Sequence, residues 1–263
     1  MESLHFQLFQ SFGGLFGFLR YAEKVGEHKT SRIGEQQAAG VDKPLLVCDY
    51  GQHQDAAHGL RSGAYVTKGG NERTADTGTQ AGVQAVFQAA EANLGTIDIL
   101  FNNAGVFLDS TFLTATEANL DRTLDVIVKG TFFLTQLVAK HMIEHQIHGR
   151  IINTSSSVTK DQAGQPVDYC IAKAGINVLT TALARELGPY GITVNAILPG
   201  AIPTKINRWQ FADPAIREKF RAGSVLGELG DADYIAGAVK YFISDEARWT
   251  TGTLLSVDGG YTL

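Results

Sequence analysis

Three side chains with complementary chemistry lie within one stretch of the sequence: the hydroxyl of Ser156, the phenol of Tyr169 and the ammonium of Lys173. Tyr169 and Lys173 are four residues apart, so a helix over 168–187 would project both from one face, one turn apart. A free phenol has a pKa of about 10, and a neighbouring cation favours the phenolate, which improves proton transfer near neutrality. A nearby hydroxyl could hold a carbonyl oxygen. Together the three side chains predict a site that transfers a proton to or from an alcohol or ketone.

The segment before Ser156 predicts the element that carries it. An apolar pair, Ile151-Ile152, runs into Asn153-Thr154-Ser155-Ser156, which is typical of a buried strand with hydroxyls at its C-terminal end. Sites of open α/β sheets lie at this end. Apolar runs alternate with helical patterns along the whole chain, which predicts a parallel sheet covered by helices on both faces.

The predicted strands are 4–8, 44–48, 97–101, 150–154, 192–198 and 253–257, and 72–75 is a poor strand sequence before Asp76. The predicted helices are 79–94, 115–147, 168–187, 214–221 and 231–244. In this count 44–48 is the second strand, and it is followed by the acid Asp49. We find no internal repeat and no linker, so we predict a single domain over 1–263.

The composition favours a soluble α/β protein over a nucleic-acid-binding or membrane protein. At 263 residues, 44% hydrophobic and 19% charged, the chain is predicted to be one soluble α/β domain. A net charge of −5 argues against a nucleic-acid partner. The two cysteines form no CxxC pair, which suits a reducing cytoplasm. No apolar run approaches the ~20 residues that a membrane helix needs, so we expect no membrane partner.

Several motifs follow one another in a fixed order: Asn102-Asn103-Ala104-Gly105, Ser156, Tyr169-x-x-x-Lys173, Pro199-Gly200 and Asp258-Gly259-Gly260. This set resembles the short-chain dehydrogenase/reductase family, most clearly over 83–263. The stretch 199–214 is most similar to the glucose 1-dehydrogenase branch, and the 3-oxoacyl-carrier-protein reductases stay open as an alternative. The resemblance implies a Rossmann-type, doubly wound parallel sheet and an NAD(P)-dependent oxidoreductase for an alcohol, ketone or sugar.

The resemblance also implies roles for the three reactive side chains. Tyr169 would be the general acid/base, and Ser156 would bind the substrate oxygen. Lys173 would lower the pKa of Tyr169 and hold the nicotinamide ribose. No metal site is expected. The family further implies a homo-oligomer, a tetramer or a dimer, because its long central helices commonly pair between subunits.

The residues implied to bind the cofactor share positions at strand ends and glycine turns. They are Gly13, Gly17, Gly34, Asp49, Asp76, Asn102, Ala104, Gly105, Tyr169, Lys173, Pro199, Gly200, Ile202 and Thr204. Asn102 would line the cleft, Asp76 would lie near the adenine, and Ile202 with Thr204 would lie near the carboxamide. Asp49 would accept hydrogen bonds from the adenosine ribose and repel a 2′-phosphate, which favours NAD over NADP.

The chain departs from the family pattern in two places. The string Thr-Gly-x-x-x-Gly-x-Gly, which brings backbone amides against a pyrophosphate, is absent. Gly13 and Gly17, or Gly34, are its partial matches, so 1–75 is an atypical cofactor-binding half beside a well-matched catalytic half, 76–263. In the central helix Ile127 stands where the family usually has an Asn, and it removes a polar link from the associated proton path.

These departures leave two alternatives to an ordinary dehydrogenase. The chain is either a dehydrogenase-like protein with weakened cofactor binding, acting as a scaffold, a partner subunit or a non-redox enzyme, or a sound dehydrogenase body fused to a shifted segment over 1–75. A separate pattern, His141-x-x-Glu144-His145, matches the inverted zinc-peptidase motif. We do not favour the metal interpretation, because this stretch ends a helix where a solvated turn is expected.

Overall fold

The computed structural model describes residues 45–49, 63–67, 72–108 and 110–263. The described strands are β1 Leu45–Asp49, β2 Gly63–Thr67, β3 Glu72–Thr74, β4 Ile99–Asn102, β5 Arg150–Thr154, β6 Thr193–Pro199 and β7 Leu254–Val257. The described helices are α1 Gln80–Leu94, α2 Glu117–Leu124, α3 Thr131–Glu144, α4 Val167–Leu187, α5 Arg208–Phe211, α6 Pro214–Gly223 and α7 Ala232–Ile243. From α1 onward this agrees with the predicted order of elements.

The described strands form one sheet in the order β3-β2-β1-β4-β5-β6-β7. Five of them, β1 and β4 to β7, run parallel, with β1 beside β4. This confirms the predicted α/β class and its parallel sheet. β2 was not predicted, and it runs antiparallel to both of its neighbours.

The position of β1 differs from the prediction. Leu45–Asp49 was counted as a second strand, but it pairs directly with β4. In the usual order of dinucleotide-binding sheets, 3-2-1-4-5-6, the strand beside the fourth is the first. The predicted strand at 4–8 lies outside the described residues.

Helices cover both faces of the sheet because the strands are apolar on both faces. Leu46, Leu100 and Ile151 are buried against the face that α1, α3 and α4 cover. The alternate residues Phe101 and Ile152 are buried on the other face, against α7. The period of two residues along each strand produces this division.

Local sequence sets several helix ends. The Thr79 side chain accepts a hydrogen bond from the Gly82 amide and so caps α1, and α1 ends at Gly95, whose φ of 75° suits a residue without a Cβ. Asp231 caps α7 in the same way. Pro166 is the residue before α4, and the helix begins at Val167.

The long central helical region is interrupted by a π-helical segment, Asp125–Gly130, between α2 and α3. Such segments are rare and recur near functional sites. The run Glu117–Glu144 is long and apolar enough to span a membrane by length and composition, but 56% of its most apolar window is buried inside the fold. That burial is typical of a helix that covers a sheet.

Candidate active site

The fold brings Ser156, Tyr169 and Lys173 together at the C-terminal edge of the parallel sheet. Ser156 follows β5, whose last residue is Thr154, and Tyr169 and Lys173 lie in the first two turns of α4. All three positions agree with the sequence prediction, and the predicted helix over 168–187 is α4.

The end of β5 fixes Ser156 through its neighbours. Ser156 is buried, and its hydroxyl accepts a hydrogen bond from the Val158 amide at 3.3 Å, which caps a short 3-10 turn over Ser157–Thr159. The preceding hydroxyl, Ser155 Oγ, donates to the carbonyl of Lys173 at 3.1 Å. The strand end and the catalytic helix are therefore joined next to the reactive groups.

Burial, and not the lysine, dominates the environment of the phenol. Desolvation raises the pKa of Tyr169 to about 12, and a hydrogen bond with Ser156 opposes this rise. Lys173 Nζ is 5.6 Å from the centroid of the tyrosine ring. The net shift of the phenol pKa is therefore upward, opposite to the direction expected from the lysine alone, and the lowering contribution of Lys173 stays a prediction. The loss of water around the phenolate is the largest cause of the rise.

Lys173 is buried, with 3% of its surface exposed, and its Nζ donates a hydrogen bond to the Thr154 carbonyl at 2.7 Å. Burial lowers its pKa to about 8. An ammonium has three donors, so this bond leaves capacity for hydroxyl groups. A Cβ added at Gly105 would lie 4.0 Å from Nζ, so the glycine keeps the backbone open beside the ammonium.

A cavity of about 110 Å³ opens directly onto the reactive groups, since Ser156 and Tyr169 both line it. A larger cavity of about 600 Å³ lies on the other side of Phe220 and Tyr261, toward the C-terminus. None of the three reactive side chains lines the larger cavity. We therefore assign the chemistry to the smaller one.

The aromatic ring of Phe107 forms one wall of this cavity and was not singled out in the sequence. It meets Tyr169 edge to face at 5.0 Å between centroids, and it stacks on Trp209 at 5.9 Å. Trp209 belongs to α5, in the segment that follows β6. Phe211, from the same short helix, is buried and lines the cavity. No periodic signal marks Phe107, because it lies in a loop.

The segment after β6 is held by one side chain. Asn207 Oδ1 accepts from the Thr204 amide at 2.7 Å, and Asn207 Nδ2 donates to the Ile202 carbonyl at 2.9 Å. Both bonds are local, so they fix the turn over 202–207 that follows β6. A Cβ at Gly200 would lie 2.7 Å from Asp258 Cα, so the close approach of the ends of β6 and β7 explains this glycine.

A family model described as enoyl-(acyl carrier protein) reductase matches residues 36–262. The chain belongs to the short-chain dehydrogenase/reductase family. This confirms the resemblance that the ordered motifs carry, and the match extends into the atypical half.

Curated relatives of this short-chain dehydrogenase/reductase support the same family assignment. It is 39% identical over 189 residues to the (2S)-[(R)-hydroxy(phenyl)methyl]succinyl-CoA dehydrogenase subunit BbsD of Thauera aromatica, which covers 72% of this chain and 75% of the relative. It is 38% identical to L-rhamnose 1-dehydrogenase (NAD(P)(+)) of Azotobacter vinelandii, over 68% of this chain and 70% of the relative.

A solved structure shares the fold. Gluconate 5-dehydrogenase from Burkholderia cenocepacia J2315, in complex with NADP and tartrate, superimposes with a TM-score of 0.67 at 32% identity, over 71% of this chain and 73% of that one. The relatives thus include enzymes named for sugar, sugar-acid and acyl-CoA substrates.

Other predicted cofactor residues have structural partners within the fold. Asn102 Nδ2 donates to Thr135 Oγ1 and to Asn153 Oδ1, both at 2.9 Å, and Asn153 Nδ2 donates to Thr180 Oγ1 at 3.0 Å. The Asn102 amide therefore ties β4 to α3 and β5. Asn103 also has a partner, because its Oδ1 accepts from Thr154 Oγ1 at 2.7 Å.

The two acids predicted near the adenosine differ in how much of each the structure describes. Asp76 follows β3, where its carboxylate forms an ion pair with Arg122 at 2.9 Å and accepts from the Gly78 amide at 2.9 Å. Asp49 ends β1, which takes the first-strand position and not the second; its side chain lies outside the described part. Gly13, Gly17 and Gly34 also lie outside the described residues, so their roles stay predictions.

Ile127 lies in the π-helical segment and is buried with Ala172 and Ile176, beside Tyr169. An apolar side chain here adds packing between the central helix and α4. The side chain of Ile127 cannot form a hydrogen bond with Lys173. The position where the family usually has an Asn therefore makes an apolar contact in this structure.

The zinc-peptidase pattern has another explanation. His141 is buried in α3 instead of lying on a solvated turn, and its Nε2 accepts a hydrogen bond from the Ile97 amide at 3.3 Å. Its Nδ1 faces Glu91 at 3.5 Å. Within the described residues, no group of three or more His, Cys, Asp or Glu side chains is arranged to hold a metal.

Proposed function

We propose that this protein is an NAD(P)-dependent oxidoreductase that interconverts an alcohol and a ketone, with Tyr169 as the general acid/base. The observation that carries the proposal is the convergence of Ser156 and Tyr169 on one cavity, with Lys173 buried directly behind them. The family membership and the names of the relatives support the reaction class.

The described residues fit the nicotinamide end of a coenzyme. Lys173 and Tyr169 offer a buried ammonium and a hydroxyl next to Gly105, where the backbone is open. Such donors suit the two hydroxyls of a ribose. The strand order reverses between β1 and β4, and open α/β sheets bind nucleotides at this switch point. When bound, the coenzyme supplies or accepts the hydride.

The protein's own residues handle the proton. In this proposal Ser156 holds the substrate oxygen next to the Tyr169 hydroxyl, which is supported by the position of both residues in the cavity lining. With a pKa of about 12, that phenol is protonated at neutral pH, which suits donation of a proton to a carbonyl oxygen during reduction. In the oxidation direction the same oxygen must first lose its proton, so oxidation is favoured at alkaline pH.

The coenzyme is either NAD or NADP. The preference for NAD rests on Asp49 as the acid of a second strand, and β1 takes the first-strand position instead. The solved relative carries NADP. We therefore propose no preference between NAD and NADP, and both coenzymes belong in the assay.

The proposal is tested with purified protein, NADH or NADPH, and a panel of ketones, ketoses and acyl-linked carbonyl compounds. We expect oxidation of the coenzyme, followed at 340 nm, with at least one compound and one coenzyme. Calorimetric titration with each coenzyme separates this enzyme from the scaffold alternative, which binds neither. Absence of both binding and turnover would overturn the proposal.

We also propose a homo-oligomer in the cytoplasm. In support, α4 presents an apolar stripe on its outer face, formed by Ile171, Ala174, Val178 and Ala182, which are all exposed. Exposed apolar stripes of this kind are typical of helices that pack against another surface.

A further inference from the structure

We propose that the substrate is a small, uncharged compound with several hydroxyl groups, of the sugar or sugar-alcohol class, and that Gln165, Gln210 and Asp161 select it. This inference rests on the proposed function. It adds what the proposed chemistry leaves open, namely which carbonyl or carbinol compound the cavity accepts.

The cavity beside Tyr169 is lined by two chemically different kinds of side chain. Its aromatic rings come from four segments of the chain: Phe107, Phe211, Phe220 and Tyr261. Ser157, Asp161, Gln165 and Gln210 contribute polar groups to the same cavity. Sugars present C–H groups on their faces and hydroxyls on their edges, so a cavity with aromatic and amide walls complements them. A purely hydrocarbon substrate would leave the partly buried amides of Gln165 and Gln210 without partners, which costs free energy.

Two amides in this wall are available for a ligand. The side chains of Gln165 and Gln210 form no hydrogen bond with any other described residue, and both are partly buried. Each amide offers two donors and an acceptor, which matches a hydroxyl that both donates and accepts. Asn207 lines the same cavity but differs, because Thr204 and Ile202 already occupy its amide.

The size of the cavity sets a limit on the ligand. Its volume is about 110 Å³, and a cavity of about 150 Å³ takes up a benzene ring. A chain of about four to six carbon atoms is therefore the suitable length. Larger groups would have to extend past the mouth.

Charge further restricts the class. Among the described residues that line the cavity, Asp161 is the charged one, and its Oδ1 accepts a hydrogen bond from the Ala163 amide at 3.1 Å. Asp161 is exposed, so solvent screens its charge, and its carboxylate disfavours a second carboxylate on the ligand by a modest amount. This distinguishes the chain from relatives named for a succinyl-CoA or for gluconate.

The test compares matched compounds of equal carbon number: xylitol, xylonate and 2-pentanol, together with the corresponding sets of four and six carbons. We expect kcat/KM of the best neutral polyol to exceed that of the best acid and of the best simple alcohol by about tenfold or more. A higher kcat/KM for an acid or for a simple alcohol would overturn the inference while leaving the proposed function intact.

Variants assign the selection to the named residues. Gln210→Leu and Gln165→Leu each remove one hydrogen-bonding amide at similar volume, so the ratio of kcat/KM for polyol over simple alcohol should fall about tenfold. Asp161→Asn keeps the acceptor for Ala163 and should raise the ratio for acid over polyol by about threefold to tenfold. The matched control is Gln88→Leu, an exposed residue of α1, which should change neither ratio. Unchanged ratios in all three cavity variants would overturn the assignment.

Direct binding makes the inference testable apart from turnover. Calorimetry with xylitol, xylonate and 2-pentanol on the protein without added coenzyme should give the tightest binding for xylitol, weakened about tenfold by Gln210→Leu. If no compound is oxidised or reduced but xylitol binds in this way, the proposed function fails and the cavity assignment stands. If xylonate or 2-pentanol binds more tightly, the cavity assignment fails.

Discussion

Tyr169 depends on its neighbours for the proton chemistry that we assign to it. Its hydroxyl shares a hydrogen bond with Ser156 and lines the cavity, while its ring packs edge to face on Phe107. Tyr169→Phe removes the hydroxyl and keeps the ring. We expect kcat for carbonyl reduction to fall by about 10²- to 10⁴-fold, the usual contribution of a general acid.

Two measurements show whether the lower kcat comes from the lost proton donor or from weaker coenzyme binding or a damaged fold. Calorimetry should give a similar affinity of Tyr169→Phe for the coenzyme, and thermal unfolding should change little because the aromatic contact with Phe107 remains. Tyr190→Phe, an exposed tyrosine distant from the cavity lining, is the control. Retention of wild-type kcat in Tyr169→Phe would rule out the acid/base role.

Lys173 gives a second prediction, for pH dependence. Burial lowers its pKa to about 8, so its ammonium is present at neutral pH and is lost as pH rises through about 8. The phenol, with a pKa of about 12, stays protonated over this range. The rate of carbonyl reduction should therefore decrease above about pH 8 as the positive charge disappears.

The measurement is kcat/KM for reduction between about pH 6 and 10, for the wild type and for Lys173→Arg, because arginine stays charged throughout. The decrease should be absent from the profile of any active Lys173→Arg protein. A wild-type profile that is flat through pH 8, or one that rises, contradicts the role assigned to this ammonium.

The sequence predicts well where Ser156, Tyr169 and Lys173 lie in the fold. It predicts poorly how buried their polar groups are and how their pKa values shift. The spacing of Tyr169 and Lys173 is a property of any helix, and Ser156 follows an apolar run that marks a strand. The direction of the tyrosine pKa depends on how much water the surrounding elements exclude, which no spacing reveals. Phe107, Gln165 and Gln210 meet the site from loops and from α5, so local pattern gives no signal for them.

Among the secondary-structure elements, the imidazole ring of His141 connects α3 with α1 and with the start of β4. It belongs to α3, accepts from Ile97 just before β4, and faces Glu91 of α1. Desolvation, reinforced by His145, lowers its pKa below the ordinary 6.5, while Glu91 and Glu144 oppose the shift. The folded protein therefore holds a neutral imidazole that accepts a backbone hydrogen bond.

A third prediction follows for stability. Because the folded-state pKa is depressed, the unfolded chain binds a proton more readily, and the free energy of unfolding should decrease as pH falls below about 6.5. Urea unfolding between about pH 5 and 8 measures this. His141→Gln retains an acceptor for Ile97 without a titrating group, so its stability should depend less on pH over that range. An equal slope for both proteins would contradict this account.

Secondary structure could be predicted where one period persists. The helices α1, α3, α4 and α7 and the strands β4 to β7 follow clear apolar patterns, which match their burial on the two faces. β2 could not be predicted, because Gly63–Thr67 is short and follows no long apolar run. The sheet position of β1 could not be predicted either, since strand order arises from pairing between distant segments.

For the molecule as a whole, the sheet order organises the site. The strand order reverses between β1 and β4, which is where open α/β sheets have their binding crevice, and β4, β5 and β6 contribute their C-terminal ends to the same edge. The described catalytic half holds the reactive groups and the cavity. The ordered motifs identify the family because each one lies at that edge, so their fixed order in sequence reflects one site in space.

A fourth prediction concerns assembly of the whole protein. The outer face of α4 carries Val178, which is 68% exposed, and Ile171, which is 54% exposed, and Phe132 at the start of α3 is 43% exposed. Several large apolar side chains on neighbouring helices disfavour an isolated subunit in water. We expect a dimer or tetramer in light scattering, and Val178→Asp should shift it toward monomer because a charge placed in an apolar interface loses its hydration.

The matched control for this change is Ala85→Asp, which places the same charge on an exposed position of α1. It should leave the mass in solution unchanged. Circular dichroism of Val178→Asp distinguishes dissociation from unfolding, since a folded monomer keeps its helical signal. A wild-type protein that is monomeric at micromolar concentration, or a Val178→Asp protein that keeps the wild-type mass, contradicts an interface on α4. Because Tyr169 and Lys173 belong to that same helix, a folded monomer with reduced turnover would indicate that assembly supports the geometry of the active site.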